Sequence, residues 1–414
     1  MMSVHAPSRP PAGISTTSPR RRAITAAVFF LVALSWSPLL PGMLGVPFSV
    51  ALFGACVVLA ALTAGERGLH PGIVALCMLL LSASLLLLLL SQSQLLLLRT
   101  APLPLLIFAA WQTSAARWLP ARLCHLLTTF LLIGVAGAVV GLVYALGGGQ
   151  PILSIVNIDG RENELYLTTM SNYNFLGVIR PSFIYDEPGA FSFILCATVA
   201  LREVLGLPRR PSYLLLIGGL VTFSLIHLLI TLIYFAFRFG VLRTSALVAS
   251  LLVSLAPVAV QTEELEFFVS RFSVEDGQFA GDNRSNQLEN FFAVVHPRML
   301  LFGDVECHSR AERVCEEHGD ITSSPATPTY RGGVMALLMQ LGVHAALVVA
   351  FWRSARWRFS ALAMTLMLLQ RPYFDISGYG FITVLLIFLM LGQRSGRDLP
   401  SLVQRDSKSH LLPL

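Results

Sequence analysis

Long apolar runs, repeated along most of the chain, constrain this sequence more than any other feature. Each is about as long as the roughly 20 helical residues needed to cross a hydrocarbon layer of about 30 Å. They run approximately over residues 24–40, 46–64, 72–90, 95–111, 123–146, 190–207, 213–237, 244–260, 332–351, 359–369 and 378–392. Only 13% of the 414 residues are charged and the mean hydropathy is +0.70, against about 25% charged in an ordinary soluble domain. The chain therefore reads as an all-α polytopic membrane protein with no room for a separate soluble enzyme domain. The basic start Arg20, Arg21 and Arg22 before an apolar stretch has the outline of a signal peptide. The Pro-rich exit at Ser37 to Pro41 lacks a small-x-small cleavage site, so the first helix is expected to be retained.

The formal net charge is +6, yet the arginines stand at the ends of apolar runs and never interleave with aromatics into a basic face. That excludes nucleic acid as a partner and makes them topology markers. Arg and Lys favour the cytoplasmic side in short loops. With the N-terminus inside, Arg67, Arg117 and Arg122, and then Arg209 and Arg210 all fall inside. Arg238 and Arg243 also want the inside, which demands an even number of crossings after Arg210. One straight helix cannot satisfy that, so the run Tyr213 to Phe237 is expected to break near Thr222 to His227. Arg353, Arg356, Arg358, Arg394 and Arg397 then also fall inside.

The resulting layout has about 12 transmembrane segments and two long periplasmic loops in an inner membrane. A cytoplasmic tail spans 1–23, segments 1 to 5 span 24–146, and a loop spans 147–187. Segments 6 to 9 follow over 188–260, a larger loop over 261–331, segments 10 to 12 over 332–392, and a cytoplasmic tail over 393–414.

Ionisable groups inside spans cost at least about 2.5 kcal/mol at the bilayer centre and mark ion or substrate pathways. The spans read as nearly free of them. Arg99 can snorkel from a span end, and His227 and His344 read as lone histidines satisfied by interhelical hydrogen bonds. This argues against an ion-coupled transporter and concentrates the polar chemistry in the loops. Cys56, Cys77, Cys124 and Cys196 lie in or beside spans and read as packing.

The first loop carries strand-like runs over 165–179 around Ser171-Asn-Tyr-Asn174, a small β-hairpin. It ends in Arg180-Pro-Ser-Phe-Ile-Tyr-Asp-Glu-Pro-Gly-Ala-Phe191. Asp186 reads as a helix N-cap, with Pro188 in the first turn and Glu187 complementing the dipole. That leaves Arg180, Tyr185 and Glu187 gathered at the mouth of a span, with a guanidinium fork suited to phosphate oxygens. An Arg, a few apolar residues, then Glu-Pro, a small residue and Phe resembles the bacterial Wzy-type polysaccharide polymerases and the related O-antigen ligases.

The second loop shows a similar order. Arg271-Phe-Ser precedes Asp282-Asn-Arg284, a short apolar helix near Phe291 to Val295, and His296-Pro-Arg-Met-Leu-Leu-Phe-Gly303. The chain then re-enters the membrane at Thr329-Tyr-Arg-Gly-Gly. Ligases and many polymerases of the family carry a His-Asn or His-Ser just before that span; this chain has Ser323-Ser-Pro-Ala-Thr-Pro-Thr-Tyr330. The nearest histidines are His308 and His318, flanking Cys307 and Cys315. In an oxidising compartment those two cysteines read as a disulfide closing a small subloop rather than as a metal site with the histidines.

The resemblance implies an enzyme that needs no cofactor or metal. It would move a growing glycan from undecaprenyl pyrophosphate onto a lipid-linked repeat unit, with a flippase and a chain-length regulator as further partners. It implies Arg180 and Arg284, supported by Arg298 or Arg331, as pyrophosphate ligands. Tyr185 and Tyr173 would face sugars, and Glu187, then His318, would act as base. An O-antigen ligase and a lipid-linked oligosaccharide flippase are the competing readings.

Overall fold

Apolar composition makes most of these segments helical, and prolines and glycines set where each helix starts and stops. The computed structural model describes residues 23, 25–26, 29, 70–91, 102–116, 118–156, 162–175, 178–246, 249–250, 274–275, 278–279, 283–304, 321, 324–372 and 377–392. The helices are α1 (Pro71–Ser91), α2 (Pro102–Ala115), α3 (Leu119–Leu146), α4 (Pro188–Leu205), α5 (Arg210–Gly218) and α6 (Leu225–Phe239). After them come α7 (Asn283–Val294), α8 (Pro297–Phe302), α9 (Thr327–Arg353), α10 (Arg358–Gln370) and α11 (Ser377–Gly392). Among the described residues, three helices are long and apolar enough to cross a membrane: α3, α4 and α9. Of the others that coincide with apolar runs, α1, α2, α6 and α11 are shorter apolar helices by that measure. The expected spans at 24–40, 46–64 and 244–260 lie almost wholly outside the described residues.

One core joins α2, α3, α4, α6, α9, α10 and α11 through residues such as Leu106, Leu131, Phe193, Ile230, Leu347 and Met364. Helix α4 is its centre and is buried along nearly its whole length. It opens at Pro188, which supplies the fixed φ of a first helical residue, and Glu187 before it is extended (φ −141°, ψ 143°) as a residue preceding proline must be. The N-cap position therefore falls on Glu187, one residue later than the Asp186 expected from the sequence. The helix closes on Gly206 in the left-handed region (φ 67°), where the Leu207 amide caps the Arg202 carbonyl at 3.0 Å.

Three contacts set α4 antiparallel to α10. Arg356 Nη2 donates to the Val204 carbonyl at 3.2 Å, Ser360 Oγ donates to the Ala200 carbonyl at 2.9 Å, and Arg371 forms an ion pair with Glu187. Helix α3 is also antiparallel to α4, pinned by Arg202 Nη1 donating to Thr128 Oγ1 at 2.9 Å. Arg353 Nη1 reaches the Leu391 carbonyl at 2.8 Å, so α9 and α11 finish at the same end. The bundle thus has a loop end, bearing Leu146, Glu187 and Arg371, and an arginine end, bearing Arg209, Arg353 and Arg358.

The apolar stretch at 213–237 is broken. Helix α5 passes through a short 3₁₀ turn (Gly219–Thr222), Phe223 turns the chain at φ 50°, and α6 returns. The break lies over Gly219 to Ser224, overlapping the expected position. Both outer ends of the hairpin are at the arginine end: Arg202 Nε donates to Ser212 Oγ at 3.0 Å, and Arg238 is paired with Glu203. The turn is held to α4 where Ser192 Oγ and Thr222 Oγ1 share a hydrogen bond of 2.8 Å. Arms of 9 helical plus 4 turn residues and of 15 residues extend only about 20 Å each, short of a hydrocarbon layer of about 30 Å.

Arg202 and Glu203 correct the expectation of spans almost free of charge. Arg202 is 1% exposed, and its guanidinium is spent on Thr128, Ser212 and, at 2.5 Å, the Pro208 carbonyl. His227 matches its reading: it is fully buried with Nε2 2.8 Å from the Leu216 carbonyl and Nδ1 3.4 Å from Cys196 Sγ. His344 does not, since its Nδ1 lies 2.8 Å from the Gln340 carbonyl of its own helix. Cys77, Cys124 and Cys196 are free, the last two buried.

Candidate functional site

The first loop is built as two small antiparallel units. Strands β1 (Leu153–Val156), β2 (Glu162–Tyr166) and β3 (Thr169–Ser171) form one sheet, and β4 (Asn174–Phe175) pairs with β5 (Val178–Ile179). The tight turn falls at Leu167-Thr168, with Leu167 at φ 53°, and not at Ser171 to Asn174 as the sequence suggested. Tertiary docking decides this. The turn inserts against a glycine face of α3: Thr168 Oγ1 donates to the Gly137 carbonyl at 2.6 Å, and a Cβ on Gly141 would lie 2.6 Å from the Tyr166 carbonyl oxygen. Further down the same face, the Phe183 ring would be 2.7 Å from a Cβ on Gly134. Gly134 lies about 18 Å along the helix axis from Leu146 at about 1.5 Å per residue, so the loop descends beside the span rather than resting above it.

That descent carries Arg180 to the turn of the broken helix. Its amide donates to Ser171 Oγ and its Nη2 to the Phe223 carbonyl, both at 3.2 Å. Phe223 is the left-handed residue between α5 and α6, so the guanidinium covers a carbonyl that the helix break released from regular bonding. The next residues place Ser182 Oγ 2.9 Å from the Met170 carbonyl and 2.6 Å from the Tyr185 carbonyl, fixing the approach to α4.

Tyr185 is a core residue. It is 0% exposed, its ring stacks on Phe191 with centroids 5.6 Å apart, and its hydroxyl has no hydrogen-bond partner among the described residues. Burial pushes its phenol pKa up. Its ring is therefore not offered to a sugar in this structure, in contrast to the role the sequence suggested for it.

Glu187 is paired with Arg371, a residue that sequence reasoning missed. Helix α10 stops at Gln370 because Pro372 follows Arg371, which is extended (φ −140°, ψ 94°). The guanidinium swings back over the start of α4, where Gly189 leaves the room: a Cβ there would overlap it. Both side chains are 12% exposed. A carboxylate engaged by a guanidinium is a weaker proton acceptor, so Glu187 can serve as a base only when Arg371 moves away. The signal for Arg371 was an Arg-Pro pair closing an apolar run, a pattern shared with ordinary helix ends.

The second-loop candidates form a different group. Arg284 lies in the first turn of α7, Arg298 is exposed on α8, and Arg331 is half-buried on α9. Helix α9 is interrupted at Gly333 (φ 59°, ψ −149°), which separates a short segment bearing Arg331 from the long span. Helix α8 packs there backbone to backbone: a Cβ on Gly303 would lie 2.7 Å from the Arg331 carbonyl, and one on Gly333 would lie 2.6 Å from the Leu301 carbonyl carbon. The Asp304 amide caps the Tyr330 carbonyl at 2.6 Å, Tyr330 returns its hydroxyl to Asp304 Oδ2 at 2.6 Å, and Phe291, Met299 and Ile321 complete a small separate core. His318, Cys307 and Cys315 lie outside the described residues, as does His308.

The candidates thus fall at the loop end in two clusters. Arg180, Glu187 and Arg371 surround the start of α4 and the turn of α5–α6; Arg298 and Arg331 accompany the α8–α9 contact. Compared with protein-family models, curated proteins and solved structures, the chain matches none.

Proposed function

We propose that this chain is a membrane glycosyltransferase that extends a bacterial surface polysaccharide at the periplasmic face. It would transfer the growing glycan from undecaprenyl pyrophosphate to a lipid-linked repeat unit. One observation carries the reading: a loop arginine, Arg180, is inserted against a span and held at the turn of a broken helix, beside the Glu187–Arg371 pair at the mouth of α4. Irregular backbone at membrane depth is tolerated where protein buries it or where it lines a cavity, and broken helices recur at sites for charged substrates.

The reaction asks for little more. The acceptor hydroxyl oxygen attacks the anomeric carbon of the donor, the bond from that carbon to the pyrophosphate oxygen breaks, and the hydroxyl proton passes to a base. The departing diphosphate keeps the bonding electrons and needs fixed cations, the role of Arg180 and, with it, Arg284, Arg298 or Arg331. Arg371 is a further cation, beside Arg180 at the α4 mouth. If the diphosphate draws it off, Glu187 is released to take the proton; His318 is the second choice of base.

A flippase reading asks for basic residues lining a cavity within the spans. The buried arginine of α4, Arg202, is instead spent on protein acceptors, which favours the transferase.

Arg180→Ala is expected to reduce chain extension by a factor of about 100 to 1,000, as loss of one fixed donor does at other anionic transition states, with protein level unchanged. The measurement is polymer length and lipid-linked intermediates in a deletion strain carrying the variant, where single repeat units should accumulate on the outer face. Normal polymer length in both Arg180→Ala and Arg284→Ala would sink this assignment. Long carrier-linked chains in the deletion strain would indicate a ligase, and inward-facing units a flippase.

A further inference from the structure

The arginine end, opposite the candidate site, gathers charge from parts of the chain far apart in sequence. Arg209, Arg210, Arg243, Arg353, Arg356 and Arg358 are all exposed. Glu203 is the one carboxylate among the described residues of these turns, and Arg238 already occupies it. Topology sorting accounts for basic residues in short loops, but not for how they are assembled here. The Arg356 guanidinium lies across the end of α4 on the Val204 carbonyl, at 3.2 Å, and Arg358 sits over the Phe351 ring at 5.8 Å. Phe237 of α6 meets Phe359 of α10 at 6.3 Å, and Tyr234 meets it at 4.9 Å, so the end of α6 and the α9–α10 turn form one continuous seam.

Beside these cations stand large apolar side chains that no other described residue covers. Phe237 and Phe239 are about half exposed, Leu242 is 85% exposed and Trp352 73%. Tyr213, Phe235 and Phe239 stack next to them, at 5.9 and 6.2 Å from Tyr213. An occupant of this seam has to bring negative charge for the guanidinium forks and long apolar groups for the aromatic flank. A free phosphate supplies only the first.

We propose that the seam between the end of α6 and the start of α10 is a binding site for an anionic phospholipid of the inner leaflet. Its phosphate lies among Arg243, Arg356 and Arg358, and its acyl chains run along Phe237, Phe239 and Leu242. Planar guanidinium groups suit phosphate oxygens, and basic pockets between helices on the cytoplasmic side have the chemistry of acidic head groups. The site is independent of the glycan reaction at the other end.

The test uses the full chain in nanodiscs of phosphatidylcholine alone or with phosphatidylglycerol. Lipid retained after transfer to detergent is read by native mass spectrometry, and unfolding is followed by heating. The wild type is expected to keep phosphatidylglycerol in preference to phosphatidylcholine and to unfold at higher temperature in the anionic discs. In Arg243→Gln/Arg356→Gln/Arg358→Gln, retention should fall by about tenfold or more, since each juxtamembrane cation contributes on the order of a fivefold attraction. Glu162→Gln, a charge change at an exposed residue of β2 at the loop end, should leave it unchanged. Equal retention of both lipids by the wild type, or an undiminished preference in the triple variant, overturns the proposal. So does an unfolding temperature that is the same in both discs, a comparison that needs no variant.

Discussion

At the scale of single residues, the Glu187–Arg371 pair shows most clearly how the site is assembled. Each partner owes its position to a following proline, which forces an extended residue at a helix boundary and turns that side chain toward the other boundary. Removing one member breaks an ion pair that is nearly buried. Arg371→Ala is expected to destabilise the protein by about 2–4 kcal/mol, toward the lower side of values for broken buried pairs because both groups keep some exposure. Adding Glu187→Ala should restore part of that loss. Thermal unfolding of both single variants and the double variant in detergent checks it, and additive effects would mean the pair contributes nothing of its own. Arg180 and Glu187 were legible in the sequence because they stand at the mouth of one span. Arg371 was not, because its partner is brought to it by the antiparallel packing of α4 and α10. Arg202 was missed for another reason: a charge inside an apolar run looks costly until the three acceptors waiting for it are seen.

Among the elements, the α5–α6 hairpin was read from charge and not from hydrophobicity. The stretch 213–237 is apolar throughout, so periodicity alone makes it one helix; only the basic residues at both ends require a return. The strand register of the first loop was less accessible, because the glycine face of α3 that selects the Leu167-Thr168 turn lies in another element. The interruption of α9 is of the same kind. Gly333 holds φ 59° and ψ −149°, a region open essentially to glycine, so Gly333→Ala should cost about 1–3 kcal/mol in backbone strain alone. Its methyl group would also push into Leu301. Hydrogen exchange should then quicken at residues 297–304 while α4 keeps its protection. Unchanged exchange at 297–304 would show that the α8–α9 contact does not depend on this glycine.

For the whole molecule, the two ends of the bundle are chemically distinct, and Arg209, Arg353 and Arg358, expected on one side of the membrane, share one end. The prediction that follows is one of access. In a chain stripped of its native cysteines, Ser154→Cys on β1 and Ala355→Cys in the α9–α10 turn should react with a membrane-impermeant thiol reagent from opposite faces of the cell membrane. Reaction of both from one face would undo the topology and the placement of the proposed site with it. Helical class and the approximate limits of most described helices were legible, because about 20 apolar residues have few other ways to satisfy their backbone in lipid. The depth reached by the first loop was not, because its residues look like any polar connection until α3 provides a cleft of glycines for them.

The short arms of α5 and α6 have a consequence for how the chain is made. Neither arm is long enough to be threaded across the bilayer by itself, and the turn between them exposes backbone that lipid cannot satisfy. Ser192, Arg202 and Glu203, which receive the hairpin, all belong to α4. The hairpin is therefore expected to enter as a single wedge against α4, which precedes it in the chain.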